Sequence, residues 1–428
     1  MNTEIVRQII KDFHEAPLPV FQSRDLPIPL NTEKIITLIG PRRAGKTSEL
    51  FNIMQVLLSQ GVAKERICYL SCEDERFDHS VEELGELLEV YQSLYPDLDL
   101  STCYFFFDEI QLFDKWDRFI RRLHDTISKH IFLTGSNAKL LSREIATELR
   151  GRSLSYSVLP LSFSEYCAFQ RIDTTKRTTK NTAILYNALD QYLRFGGFPE
   201  LLKYEPTLKI SILQEYFNVM FYRDLVERFD VSNVSLLKFF IKRLMSCATK
   251  EFSINKIYNE LKSSGYKISK DSLYNFADNC EAIYLALPVK KYNASIIHLE
   301  LTEKKIYVVD NGLFNAINPR FSEDNGKLME QTVFLQLLRE PGEVFFHKHK
   351  YECDFLVKEG LNVTRAIQVS YNLSDHETRE REIRGLVEAC LAHELTEGLI
   401  ITYREKGEFV HDGVKISCVP LLSYLLEK

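Results

Sequence analysis

The sequence predicts an α/β protein that opens with a mostly parallel sheet covered by helices, and three observations predict it. Short β-rich runs alternate with helical stretches over the first 160 residues, the way strands joined by crossover helices are written. A glycine-rich loop, GPRRAGKT at residues 40–47, stands between the first run and a helix. A later run, YFFFDE at residues 104–109, ends in two carboxylates. The runs are Ile35–Ile39, Ile67–Ser71, Cys103–Phe107, His130–Thr134 and Leu154–Leu159. Read as near-continuous apolar segments, they give five strands buried on both faces, with the functional edge at their carboxyl ends.

The loop follows the apolar strand KIITLI and precedes the helical run SELFNIMQVLLSQ, a strand-loop-helix context that turns a string match into a phosphate-binding expectation. Gly40 and Gly45 let the backbone fold tightly, so that the stretch Gly40, Pro41, Arg42, Arg43, Ala44, Gly45 and the helix start at Ser48 cradle phosphate oxygens. Lys46 is expected to reach the β and γ phosphates of ATP and the Thr47 hydroxyl to ligate magnesium. In the second carboxylate-bearing run, Asp108 holds magnesium through water and Glu109 orients and polarises the attacking water. The next strand ends in Ser136 and Asn137, which read either as polar sensors of the γ phosphate or as an ordinary helix start. For a transition-state arginine the candidates are Arg143, Arg150 and Arg152, with Arg152 preferred as a strand start beside the catalytic edge.

Length and composition are consistent with this. At 428 residues the chain has room for about three domains. With 45% apolar and 27% charged residues and no apolar stretch long enough to span a bilayer, a membrane protein is excluded and a cytoplasmic one expected. The N-terminus mixes charges of both signs into a helical pattern, unlike a signal peptide. Nine scattered cysteines without a CxxC pair read as buried thiols in a reducing compartment and not as a zinc site. The net charge is −6, yet Leu236 to Lys305 holds 12 Lys or Arg against 7 Asp or Glu, so the middle segment is the part suited to an anionic partner.

The segments GPRRAGKT, FFFDEIQ, LTGSNAKLLSREIATELRGRS, LPLSFSEY and GGFPELL together resemble the AAA-like (ASCE-type) P-loop ATPases of the archaeal-ATPase group, relatives of the signal-transducing STAND ATPases. The resemblance spans nearly the whole chain and is tightest over residues 34–200. It implies a P-loop NTPase core followed by a helical lid, a winged helix and a C-terminal restriction-endonuclease-like domain. The expected division is an N-terminal helical extension at 1–30, the ATPase core at 31–182, a helical lid at 183–232, a winged helix at 233–320 and a degenerate nuclease-like domain at 321–428.

Within the fourth segment, Ser253 begins and caps SINKIYNELKSSG, Ser269 caps KDSLYNFADNC and a short turn separates them, the spacing of a helix-turn-helix. Lys270, Ser272 and Asn275 then face outward as contacts to double-stranded DNA. Asp271, Asp278 and Glu281 dilute the positive face, and such modules also dock proteins. In the last segment, a PD-(D/E)XK nuclease needs an acidic pair on a bent strand and a lysine two residues past the second acid. Here Glu330, Glu352, Asp354 and Gln368 occupy the acidic positions and Ser370 stands where lysine belongs. Lys348, Lys350 and Arg379 are the substitutes the sequence offers.

The leading expectation is a magnesium-dependent ATPase whose nucleotide state positions a winged helix and a degenerate nuclease-like domain on DNA. The alternatives are an ATP-gated nuclease and a signalling switch that binds protein partners. A trans-acting arginine would require a homo-oligomer.

Overall fold

A computed structural model describes residues 3–136, 149–176, 178–293, 295, 303–317 and 324–427. It divides into two compact units, residues 1–159 and 160–428. Asn137 and Arg143 lie outside the described residues.

The first unit contains α1 (Thr3–Glu15), β1 (Ile35–Ile39), α2 (Lys46–Ser59), β2 (Ile67–Ser71), α3 (Val81–Leu94), β3 (Tyr104–Asp108), α4 (Trp116–Thr126), β4 (Ile131–Gly135) and β5 (Ser153–Ser157). The five strands are parallel, in the order β2-β3-β4-β1-β5. Alternation along each strand sends side chains to opposite faces. Ile35, Ile39, Cys68, Leu70, Phe105, Phe107, Ile131 and Leu133 enter one core with α3 and α4. Ile36, Leu38, Ile67, Phe106 and Phe132 enter the other with α2. The expectation of five doubly buried strands fails at β5, whose SLSYS sequence is largely exposed because it closes the sheet edge.

The N-terminal extension is part of this unit. Val6 and Ile10 of α1 are buried in the first core. The following segment lies along α2, where Gln55 donates to the Pro19 carbonyl at 2.8 Å. Arg24 then donates to the Ala44 carbonyl at 3.1 Å and the Leu159 carbonyl at 2.9 Å, tying this segment to the glycine-rich loop.

The second unit begins with α5 (Phe163–Phe169), α6 (Thr179–Phe195) and α7 (Pro206–Val219), which runs on as a π-helix through Met220–Glu227. Next come α8 (Val234–Ser246), β6 (Glu251–Phe252), α9 (Ile254–Ser263), α10 (Lys270–Ala282), β7 (Leu287–Lys291), β8 (Lys304–Tyr307) and α11 (Asn311–Ile317). The chain finishes with α12 (Asn325–Leu337), β9 (Glu343–Lys348), β10 (Glu352–Glu359), β11 (Asn362–Val369), α13 (His376–Ala392), β12 (Glu397–Thr402), β13 (Gly407–His411), β14 (Val414–Pro420) and α14 (Leu421–Leu426). Ser253 and Ser269 cap α9 and α10 through their side chains, as their positions in the sequence suggest.

The nine strands found among the described residues of this unit form one sheet, β13-β14-β12-β11-β10-β9-β7-β8-β6. The boundary expected at 320/321 therefore runs through a continuous sheet, joined where Lys290 and Lys291 of β7 pair with Phe345 and Phe346 of β9. Helix α12 is buried around most of its circumference, including Gln331 and Thr332.

Two motifs that stand far apart in the sequence, FGGFPE and VVDNGLF, close on each other. The Gly197 N–H donates to Asp310 Oδ2 at 2.7 Å and the Leu313 N–H to Asp310 Oδ1 at 3.0 Å. Burial pushes the Asp310 carboxyl up to about 6 against these bonds. Gly196 sits at φ 75°, and a β-carbon on Gly312 would lie 2.0 Å from the Phe195 carbonyl oxygen. Gly312→Ala is therefore expected to destabilise the protein by about 1–3 kcal/mol, since backbone must yield to the methyl. A denaturant midpoint equal to the wild type would contradict this packing.

Candidate functional site

The loop of residues 40–45 joins β1 to α2 and passes close to the end of β5. A β-carbon on Gly40 would meet the Val158 carbonyl oxygen at 2.0 Å, so only glycine fits. Gly45 at φ 99° and Arg43 at φ 65° turn the loop through left-handed conformations. No side chain caps α2, leaving the helix start open to phosphate oxygens.

Because β4 lies between β1 and β3, its carboxyl end stands between the loop and the two acids. Lys46, 5% exposed, donates to the carbonyls of Gly40 and Pro41, each at 3.2 Å, and pairs with Glu109 Oε1 at 3.3 Å. The Thr47 hydroxyl donates to Asp108 Oδ2 at 2.7 Å. Thr134, on β4, donates to Asp108 Oδ1 and accepts the Glu109 N–H at 2.8 Å. One hydroxyl thus fixes both acids. Tyr69 of β2 also reaches Asp108 Oδ2 at 3.4 Å.

Glu109 is held at φ 58°, ψ 45°, a left-handed conformation that costs a non-glycine residue about 1–2 kcal/mol and is a form of strain that gathers at functional sites. Burial raises its carboxyl, but the neighbouring Lys46 ammonium, the Gln111 amide, Arg42 and Ser136 outweigh burial and hold it down at about 2. Gln111 donates to Glu109 Oε2 at 2.6 Å. Asp108 moves the other way: burial lifts it above the usual carboxylate range despite the Thr134 and Thr47 hydroxyls. Ser136 is buried at the end of β4, with its hydroxyl beside the Glu109 carboxyl. Arg42 pairs with Glu73 at 3.0 Å.

The structure brings Lys46, Thr47, Asp108, Glu109 and Ser136 together at one sheet edge. It does not bring Arg152 there. Ile35 pairs with Ser153 and Ile39 with Ser157 in parallel register, so the start of β5 lies at the amino edge, opposite the loop. Arg152 is bound there to both carboxylate oxygens of Asp125, at 2.9 and 3.0 Å. Arg150 precedes it in the same turn. Sequence reasoning missed Thr134 and Gln111; the signal for Thr134 was its place two residues before Ser136, on the same strand face.

A second charged cluster lies within the other unit. Glu330 of α12 and Glu352 and Asp354 of β10 converge on Lys305 of β8, 1% exposed, whose Nζ is 3.3, 2.8 and 3.0 Å from them respectively. The β9–β10 register shifts between Cys353 and Leu356, a local irregularity in the strand that carries two of these acids. Burial and the nearby Asp354 push the Glu330 carboxyl up to about 8. Gln368 is not free to act as a ligand: its carbonyl accepts the Asp354 N–H at 3.2 Å and its amide donates to Glu382. Ser370 donates to the Asn372 carbonyl at 2.8 Å. Of the substitutes the sequence offered, Lys348 lies 3.5 Å from Glu352 and also pairs with Glu251, Lys350 lies over the Tyr351 ring and Arg379 over the Phe409 ring.

On α10, Lys270 and Asn275 are exposed, whereas Ser272 is half-buried with its hydroxyl 2.9 Å from Ser269 Oγ in the helix cap. No helix among the described residues is long and apolar enough to cross a membrane.

Comparison with known proteins accords with this geometry. Residues 32–167 match the AAA domain family, and residues 186–324 match a domain of unknown function, DUF8612. The uncharacterized protein MJ1544 of Methanocaldococcus jannaschii is 39% identical over 395 residues, 90% of this chain and 86% of its own. An uncharacterized protein of Haemophilus influenzae is 29% identical over 351 residues, 81% of this chain and 86% of its own. Among solved structures, the Aeropyrum pernix ORC1 protein in complex with DNA aligns over 74% of this chain and 92% of its own, at 10% identity and a TM-score of 0.32, a likeness too loose to bear on function. Residues 32–167 are an AAA-type P-loop ATPase domain, and the chain belongs to the family that includes MJ1544.

Proposed function

We propose that this protein is a magnesium-dependent ATPase whose nucleotide state governs a winged-helix surface that binds double-stranded DNA. The observation that carries the reading is the convergence of Lys46, Thr47, Asp108 and Glu109 beside the uncapped start of α2. In this reading the loop amides and Lys46 hold the phosphates, and the buried Ser136 hydroxyl at the end of β4 receives the γ phosphate. Glu109 orients water for cleavage of the β-γ bond. Thr47 and Asp108 are the oxygens suited to magnesium, which when bound neutralises phosphate charge.

The DNA reading is supported by the face around α9 and α10, where Lys262, Lys267 and Lys270 are exposed together with Tyr266, Tyr274 and Asn275. Lysines supply sequence-independent phosphate contacts. The lid, winged-helix and nuclease-like segments stay part of this proposal, the last two sharing one sheet and the nuclease-like segment taking a binding role.

The test is phosphate release by the purified protein with and without magnesium and double-stranded DNA, together with retention on DNA across a salt series. Magnesium-dependent release and salt-sensitive retention are expected, and Lys270→Glu is expected to lower the salt slope by about one unit or more. Release without magnesium dependence would remove the ATPase mechanism. Retention indifferent to salt and to Lys270→Glu would remove the DNA surface and leave a switch that acts on protein partners.

A further inference from the structure

The lysine absent from the nuclease-like motif has a counterpart that arrives from outside the segment expected to contain it. Lys305 belongs to β8, in the β7–β8 hairpin, yet its ammonium lies at the centre of the three acids of α12 and β10. We propose that the Lys305 ammonium is a built-in replacement for a divalent cation, so that this acid cluster takes no metal and instead fastens the β7–β8 hairpin to the β9–β11 part of the sheet.

An ammonium carries three N–H donors, and here three carboxylates stand around it at 2.8, 3.0 and 3.3 Å. The neighbouring bonding capacity is spent as well. Asp354 Oδ2 accepts the Val369 N–H at 3.0 Å, Glu352 Oε2 faces Lys348 at 3.5 Å, and Glu330 Oε1 also accepts the Tyr307 hydroxyl at 2.7 Å. Magnesium would need several of these oxygens at about 2.0–2.1 Å around one point, and the ammonium nitrogen holds that point. Gln368, the one neutral ligand the motif retains, is turned to the Asp354 backbone and to Glu382. Among the described residues no three acidic, histidine or cysteine side chains are arranged to hold a metal ion.

The ammonium belongs to the cluster for a physical reason. A lone charge is not buried without compensation, and three carboxylates left facing one another repel. Cation and acids therefore require each other, and because they come from β8, β10 and α12 their pairing joins the hairpin to the rest of the sheet. Backbone pairing alone couples these parts weakly, through two residue pairs between β7 and β9. The inference stands apart from the ATPase reading, since none of its residues belongs to the nucleotide site.

Thermal unfolding of the nucleotide-free full chain with and without Mn2+ tests it. The wild type is expected to show no Mn2+-dependent shift traceable to Asp354. Lys305→Ala is expected to unfold at lower temperature and to regain several degrees when Mn2+ replaces the lost cation. Lys305→Ala combined with Asp354→Asn should lose that response, which separates the acid cluster from Thr47 and Asp108. A Lys305→Ala protein that folds but ignores Mn2+ overturns the proposal. Should that variant not fold, the wild type decides through Mn2+ retention read by electron paramagnetic resonance. Retention equal in wild type and Asp354→Asn supports the proposal, and retention lost in Asp354→Asn overturns it.

Discussion

Lys46→Ala is expected to bring ATP turnover to background while the protein remains folded. Lys46 is the ammonium held inside the loop, with two loop carbonyls at 3.2 Å and Glu109 at 3.3 Å. In the proposed mechanism it lies along the path of the β and γ phosphates, whose charge would replace that of Glu109. Removing a preorganised partner of developing charge costs about 10²–10³ in rate. Here the same residue also supports ground-state binding, so both turnover and nucleotide affinity should fall. Alanine leaves the buried Glu109 carboxylate without its ammonium, which costs stability by itself. The measurement therefore pairs steady-state phosphate release with a thermal unfolding curve and a nucleotide titration. A folded variant that turns over ATP at the wild-type rate would remove Lys46 from the mechanism.

What could be read from the sequence follows a physical division. The loop and the acid pair were legible because their chemistry is carried by consecutive residues whose geometry one strand-loop-helix unit dictates. Strand positions were legible for the same local reason, and four of the five lie within a residue of their expected bounds. What was not legible depends on which strands become neighbours. Thr134 serves Asp108 and Glu109 because β4 is inserted between β1 and β3, an order that no single strand announces. Arg152 was misplaced by the same gap, since the first residue of a parallel strand lies at the edge opposite its last. Lys305 escaped notice because it is 25 residues from Glu330 and 49 from Asp354, and only the pairing of β7 with β9 brings it near. Gln368 looked like a weakened ligand, and its two amide bonds show it to be part of the scaffold.

Glu109→Gln is expected to separate binding from chemistry, with turnover falling by about 10²-fold or more while nucleotide is still bound. The amide keeps the size and approximate shape of the carboxylate in its strained left-handed position but cannot take a proton from water. It also releases Lys46 from its ion pair, so nucleotide affinity should hold or rise, the opposite of Lys46→Ala. The pH behaviour gives a second readout. In the free protein the Glu109 carboxyl titrates at about 2, below its ordinary value of 4.5, so the stability it contributes is fully present above that ordinary value and is lost as pH falls through about 2. Glutamine abolishes this contribution, and the acid limb of the stability curve between those values should flatten. Nucleotide binding is expected to shift the same balance, because the Lys46 ammonium that opposes burial would then be engaged by phosphate and the carboxyl of Glu109 would rise. Wild-type protein should therefore take up protons on binding ATP in mildly acidic buffer, measurable by calorimetry in buffers of different ionisation enthalpy. Glu109→Gln should lose that component. Equal proton uptake in the two proteins would mean that Lys46 stays with Glu109 when nucleotide is bound, and the division of labour between them would have to be redrawn.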